Sequence, residues 1–379
     1  MEILVDYVLP FLVVLTILVF VHELGHFSVA RYNKVRVEVF SVGFGRELFG
    51  FTDKHGTRWK FCAIPFGGYV KMFGEGEEIA VEGGAEDEMR TLSAEEKEVS
   101  FHHKRLGQRA AIVFAGPLAN FLFAAIVLGL LFGIAGKPSP LAGIGSVQAE
   151  SAADVAGFEN GDKVTKINDT DIKWFDDLRQ IVSTSAGVEL AFEVERGGQM
   201  LQLLATPKTH VRVDADGVES EIGLLGVTPD PEQLEYISVG VLDAAWMGIE
   251  RTYVQTEQIL MALGQIISGS RGADELGGPL RIAQLSGQMA QGGAISLIFF
   301  LAALSVNLGL INLFPVPMLD GGHLLFYGAE AIMGRPVNAK TQEYSFRFGL
   351  ILVLLLMFFA TWNDLVQLKV FESIRNFIT

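Results

Sequence analysis

Five residues near the start of the chain, His22-Glu23-Leu24-Gly25-His26, set two imidazoles and a carboxylate at a spacing that can hold and use a metal ion. On a helix, positions 22 and 26 lie one turn apart on one face, so both imidazoles can grip the same ion while Glu23 stands beside them. Zinc suits nitrogen donors, and a catalytic zinc keeps one position for a water whose proton a neighbouring carboxylate can accept. A chance match is the bland alternative in a long chain. Here, however, the five residues close an apolar run, VLPFLVVLTILVFVHELGH at 8–26. Ionisable side chains at the end of such a helix are expensive in lipid, which makes them functional candidates. A third ligand is expected at Asp320, within NLGLINLFPVPMLDGGH, which runs from Asn307 to His323. Pro315, Pro317 and the Gly321-Gly322 pair should unwind a helix there, and non-helical backbone at membrane depth is tolerated only where it lines protein or a wet cavity. The plainer role for Asp320 is to cap a helix that starts at Gly321. His323 is read as a capping or packing residue, and His102 and His103, set among basic residues, as membrane-surface side chains; none of these three is assigned as a ligand.

Four apolar stretches could position this chemistry: about 7–29, 110–135, 295–314 and 346–362, against the roughly 20 residues that a bilayer requires. Residues 30–109 carry 13 of the 29 lysines and arginines, with Arg31, Lys34 and Arg36 at one end and Lys104, Arg105 and Arg109 at the other. Basic residues beside membrane segments stay cytoplasmic, so this loop should face the cytosol and both termini the opposite side. His22 comes about 15 residues into its helix, or roughly 22 Å, which sets the metal toward the cytosolic side of a ~30 Å core. Asp320 returns to the same depth.

Between the first two stretches, Val35, Val37 and Val39, then Trp59, Phe61 and Ala63, alternate in the strand manner around glycine-rich breaks at 43–45 and 67–68. One or two hairpins are expected. A hairpin covering the helix end is the plain reading; a sheet edge that takes an extended peptide as an added strand is the sharper one. Residues 74–98 hold ten acids and no aromatic, the pattern of a solvated, partly disordered excursion. In the second apolar stretch, Gly116-Pro117-Leu118-Ala119-Asn120 offers small residues for close packing, and Asn120 needs an internal partner; it is read as structural glue, with a place near the site left open.

From Lys137 the pattern becomes soluble. Short β runs at 164–167, 188–195 and 200–205 flank a helix near 174–184, giving a compact α+β domain. Its element order and the phrase GDKVTKIND resemble a PDZ domain of the bacterial protease type, which grips extended chains by strand addition. Val239, Leu242, Ala245 and Ile249 then suggest an amphipathic helix, and Gly277-Gly278-Pro279 precedes another at 280–290; neither looks apolar enough to span, and both are placed at the outer membrane surface.

Composition narrows the classes. The chain has 379 residues, half of them apolar, and a formal charge of −15. With a pI near 4.9, its field is wrong for a nucleic-acid partner. Cys62, the lone cysteine, cannot form an intrachain disulfide and is read as a small buried hydrophobe. The first stretch begins with Glu2 and Asp6 instead of a basic region and carries the metal motif itself, so it is expected to remain on the mature protein.

HELGH in the first segment, GPLAN in the second, NLFPVPMLDGGH in the third and a PDZ-like insert between the last two resemble the site-2 protease family of intramembrane zinc metalloproteases in its bacterial form. ELGGPLRIA at 275–283 and WNDL at 362–365 extend the likeness along nearly the whole chain. The resemblance implies Zn2+ held by His22, His26 and Asp320, with Glu23 as general base. It also implies substrate contacts at Asn312, Pro315 and Pro317 and along the β region with Gly67 and Gly68, with Asn120 as a further candidate. The expected protein is a polytopic α-helical membrane protein with about four transmembrane helices, a cytosolic-side membrane-associated β region and one extracytoplasmic PDZ-like domain. Its segments would be 1–34, 35–109, 110–136, 137–235, 236–293, 294–327 and 328–379. Its expected place is the bacterial inner membrane, with periplasmic termini and the active site toward the cytosol. Its expected partners are the lipid bilayer, single-pass transmembrane substrates and a peptide for the PDZ-like domain. The best-known members carry two PDZ domains in tandem; only one is present here.

Two rival classes are open to test. A non-catalytic zinc scaffold has no use for Glu23, because a structural site closes its coordination with ligands alone. A metal transporter should spread polar ligands along a path through several helices, whereas these converge at one depth.

Overall fold

A computed structural model of the chain describes residues 4–74, 92–213, 219–272 and 277–367. They divide into two units, Met1–Leu131 with Leu242–Thr379, and Phe132–Val241. Most of the acidic excursion expected to be disordered, 75–91, lies outside the described residues. Its end is ordered as a short helix, α2 (Ala94–Val99), held by a capping box between Ser93 and Glu96.

The first unit is built around α1 (Leu9–Tyr32), which follows a π-helical turn at Leu4–Val8. Its buried positions include Val14, Leu18, His26 and Ala30, a four-residue repeat that marks one inward face. Against it lies α3 (Leu106–Ala135). The two helices touch backbone to backbone: a β-carbon at Gly25 would stand 2.2 Å from the Ala115 carbonyl oxygen. The glycine of the HELGH motif therefore sets how closely α3 approaches, the usual role of small residues where helices meet in lipid.

Strands β1 (Val37–Thr52) and β2 (Arg58–Met72) form one antiparallel hairpin folded double. Phe40 pairs with Trp59 on one side and Val70 on the other, and the register shifts repeatedly along the pair. The first half of β1 is buried and the second half mostly exposed, so the clean alternation expected of a one-sided sheet is lost. Phe40, at 1% exposure, anchors the buried half on Phe20 and Phe27 of α1 and stacks on Trp59. Beyond α1, the hairpin leaves the apolar side chains Phe44, Leu48, Phe49, Phe51 and Ile64 exposed. At its turn the Asp53 carboxylate accepts from the His55 and Thr57 amides. Burial works to raise its pKa, but those bonds, the Trp59 indole and Arg31 together hold it below the usual range.

Further along, α6 (Val241–Ile267) runs for 27 residues, far longer than the short amphipathic stretch expected. It packs on α3 through glycine: a β-carbon at Gly248 would meet the Ala125 carbonyl oxygen at 2.3 Å. Arg251, Glu250 and Glu257 keep it out of the set of helices apolar enough to span. Next come α7 (Pro279–Gln291), α8 (Ala294–Asn312), α9 (Asp320–Met333) and α10 (Ala339–Gln367). Among the described residues four helices are long and apolar enough to cross a membrane, 4–32, 106–135, 294–312 and 340–367. The last is longer than its sequence suggested, because polar residues at its start and the WND triplet near its end hid its limits. Asp364 of α10, 2% exposed, accepts from the Gly278 and Arg281 main-chain amides and so caps α7.

The second unit centres on an antiparallel sheet of β5 (Lys163–Ile167), β6 (Thr170–Asp171), β7 (Leu190–Arg196) and β8 (Gln199–Ala205), in spatial order β6-β5-β7-β8. The helix α5 (Phe175–Ser183) covers it with Phe175, Leu178 and Val182, over a core that includes Val164, Ile167, Phe192 and Val194. A second helix, α4 (Ala152–Ala156), and short strands that pair antiparallel, β3 (Lys137–Pro140) with 234–237, β4 (Ile144–Val147) with 227–229, and 208–213 with 219–224, complete the α+β layer. The Asp162 side chain is fully buried and is held by a two-pronged grip of Arg196, at 2.6 and 2.8 Å.

Candidate active site

Helix α1 presents His22 and His26 on the face turned to α3, and α9 begins at Asp320, so the three side chains meet although the third lies far along the chain. The helix break expected after Asn312 is present. Residues 313–319 are not α-helical, Met318 takes a left-handed backbone (φ 91°), and Asp320 becomes the first residue of α9, after Leu319 in the capping position. The glycines of the motif make the break possible. A β-carbon at Gly321 would stand 2.2 Å from the Phe314 carbonyl oxygen, and one at Gly322 would stand 2.5 Å from that of Val316.

Nε2 of His22 lies 3.1 Å from Oδ2 of Asp320 and 3.2 Å from Nε2 of His26, and Nε2 of His26 lies 3.5 Å from the same Oδ2. A tetrahedral zinc with bonds of about 2.0–2.1 Å separates its ligand atoms by about 3.3 Å, so the triangle has the right size. Oδ2 of Asp320 is buried with no hydrogen bond aligned on it, as expected of an atom reserved for a cation. The wall behind the triangle is glycine. A β-carbon at Gly116 of α3 would stand 2.3 Å from Nε2 of His26 and 3.0 Å from Cε1 of His22. Each imidazole also has a partner on its far nitrogen: Nδ1 of His26 lies 2.9 Å from the Ile112 carbonyl oxygen, and Nδ1 of His22 lies 3.0 Å from the Asn120 amide. The donor set, its spacing and its backing all fit zinc.

Glu23 sits beside this triangle, under the hairpin. A β-carbon on Gly68 of β2 would come within 3.2 Å of Cγ of Glu23 and 2.6 Å of the Ser41 carbonyl oxygen, and the Val70 main-chain amide faces the Glu23 carboxylate. Gly67 takes a left-handed backbone (φ 105°) beside the Phe44 ring. Gly67 and Gly68 thus bring a strand segment over the carboxylate as closely as backbone allows.

The remaining candidates are placed as follows. Asn312 ends α8, and Pro315 and Pro317 lie in the link before Asp320, with the Pro317 carbonyl pressed against Gly349 of α10. Asn120 is fully buried behind His22. His323 packs on Phe346 and His103 is hydrogen-bonded to Ser100, and neither is one of the three clustered ligands. Ser305 had escaped notice: its hydroxyl donates to the Asn120 carbonyl oxygen, a contact 185 residues away in sequence that no local pattern announces.

The model of peptidase family M50 matches residues 10–356. The chain belongs to this family, that of the site-2 proteases. A chain of Agrobacterium fabrum provisionally named a zinc metalloprotease is 42% identical over 367 residues, 96% of this chain and 97% of that one. A similarly named chain of Rhizobium meliloti is 43% identical over 95% of this chain and 96% of its own. Metalloprotease MmpA of Caulobacter vibrioides is 34% identical over 97% of each. Among solved structures, the PDZ domain of an SdrC-like protein from Listeria monocytogenes covers 24% of this chain and 87% of its own at 18% identity and a TM-score of 0.19, too small a likeness to add to the strand order given above. As an M50 peptidase the chain is a zinc metalloendopeptidase, and Zn2+ is its cofactor.

Proposed function

We propose that this M50 peptidase cuts single-pass membrane proteins in or near their transmembrane segment, with His22, His26 and Asp320 holding zinc and Glu23 as general base. Anti-sigma factors and signal-peptide remnants are the substrate classes that fit. The observation that carries this reading is the 3.1–3.5 Å triangle of ligand atoms lying beside Glu23 and beneath Gly68. When bound, zinc supplies a Lewis acid that polarises the scissile carbonyl and makes the attacking water more acidic. Glu23 takes the proton from that water and hands it to the leaving amine. The His22 and His26 side chains are only 12% and 11% exposed, so the site is nearly enclosed and admits no more than a narrow chain and water. A transmembrane helix hides its carbonyls in its own hydrogen bonds, so substrate must unwind. The 68–72 edge of the hairpin offers main-chain groups to hold the unwound segment as an added strand, and the outward aromatics of β1 seat the hairpin in lipid. Asn312, Pro315 and Pro317, in the stretch that leads to Asp320, would contact the same unwound segment.

The basic residues flanking the hairpin support a reading in which this face turns to the cytosol of a bacterial inner membrane, with both termini and the PDZ-like unit periplasmic. That unit would take an extended peptide. The decisive experiment offers a labelled single-pass substrate with a helix-breaking segment to the purified enzyme. Wild type should cleave it and Glu23→Gln should not, while retaining zinc; cleavage by Glu23→Gln would remove Glu23 as the base. Membrane fragments that accumulate in cells carrying the same variant would identify the substrates.

A further inference from the structure

Helix α3 contacts both histidines from behind, and it does so twice on one face. Eight residues apart, Ile112 and Asn120 present a main-chain carbonyl to Nδ1 of His26 and a side-chain amide to Nδ1 of His22. A histidine that ligates through Nε2 carries its proton on Nδ1 and needs an acceptor there. Ile112 supplies one for His26 at 2.9 Å without ambiguity. For His22 the acceptor must come from the Asn120 amide, which can offer either its oxygen or its nitrogen by a half-turn of the side chain.

The surroundings of Asn120 decide which end. Its side chain is fully buried, so neither end can turn to water. In the structure the amide nitrogen stands 3.0 Å from Nδ1 of His22 and the amide oxygen 3.4 Å from the Ser305 hydroxyl, whose proton is engaged at 2.9 Å by the Asn120 main-chain oxygen, so the long contact is the one a half-turn of the amide would give up. Ser305 therefore has lone pairs to offer, and a half-turn of the Asn120 amide sets its NH2 toward them. The oxygen then faces His22. Helix α8 brings Ser305 to this point because Gly309 lets it close on α3: a β-carbon there would stand 3.0 Å from the Pro117 carbonyl oxygen and 3.2 Å from Cβ of Asn120.

We propose that Asn120 is a positioning residue for the metal centre, its amide oxygen fixing the proton of His22 on Nδ1 so that Nε2 is free to bind zinc, with Ser305 holding the amide in that orientation. This replaces substrate contact as the role of the asparagine in GPLAN, and it rests on His22 being a zinc ligand.

The test measures zinc affinity of the detergent-solubilised full chain by competition with a chromophoric chelator, and the visible spectrum of the Co2+-substituted protein. Asn120→Asp keeps an acceptor toward His22 and cannot donate; Asn120→Leu removes the acceptor at similar size. Zinc affinity should fall 10- to 100-fold in Asn120→Leu and stay within several-fold of wild type in Asn120→Asp, as expected for partners behind a metal-ligating histidine. The cobalt bands should shift in the leucine variant and hold in the aspartate variant. Ser305→Ala, a milder change, should give an intermediate loss. If Asn120→Leu binds zinc as wild type does, or if Asn120→Asp loses as much as Asn120→Leu while Ser305→Ala is unaffected, the inference is overturned. His22→Ala separates the two levels. Zinc retained in that variant removes the ligand assignment itself, whereas zinc lost there and kept in Asn120→Leu removes only the role given to Asn120.

Discussion

Gly116 faces His26 so closely that a β-carbon at position 116 would stand 2.3 Å from its Nε2. The atoms it would meet belong to the His26 and His22 imidazoles, and the His26 ring cannot move away without loosening its contact with the Ile112 carbonyl. Gly116→Ala should displace the imidazole and lower cleavage by roughly 100-fold, the scale of a 1 Å misplacement at a reacting centre. Zinc content should fall with it. Gly107→Ala on the same helix, which meets nothing within 4 Å, is the control and should leave both unchanged.

The triangle predicts dependence on one carboxylate and one ion. Asp320→Ala should purify with substoichiometric zinc by atomic absorption and show no cleavage. Wild-type enzyme stripped with a chelator should recover activity when Zn2+ is returned, and the Asp320→Ala enzyme should not. Full zinc occupancy in that variant would remove Asp320 from the site.

Gly68 separates the role of the hairpin from that of the metal. A side chain there collides with the Ser41 carbonyl at 2.6 Å and Cγ1 of Val19 at 2.8 Å, and crowds Glu23. Gly68→Val should lower cleavage by about 100-fold while zinc affinity stays at the wild-type value. A parallel loss of zinc would show that the strand supports the ligands instead of presenting substrate to Glu23.

In the second unit, Arg196→Ala leaves the buried Asp162 carboxylate without its cation, while Glu159 still donates its main-chain amide to it at 2.9 Å. Breaking a buried pair from one side costs about 3 kcal/mol. Hydrogen exchange at the β5 and β7 amides should accelerate accordingly, with zinc affinity unchanged.

The chemistry of the site was legible in the sequence because each motif carries its own geometry. HELGH needs only a helix to align two imidazoles, and the prolines and glycines around Asp320 announce a helix break by their backbone limits alone. The hairpin was less legible, since β1 is buried on both faces in its first half and exposed in its second, which erases the period-two signal. Helix α6 was underestimated because Arg251 and Glu257 interrupt its apolar side, although Gly248 against Ala125 shows that it is packed, not superficial. Asn120 stood out as an intramembrane amide in need of a partner, but its partners His22 and Ser305 come from two other helices and are fixed only by how α1 and α8 cross α3.

The late position of Asp320 has a consequence for biosynthesis. On the proposed assignment, α1 would enter the bilayer with His22 and His26, and Asp320 would follow only 294 residues after His26. A nascent or truncated copy that lacks Asp320 would thus hold its ion weakly and spare its neighbours in the membrane, so that hydrolytic power would await the segment that carries Asp320.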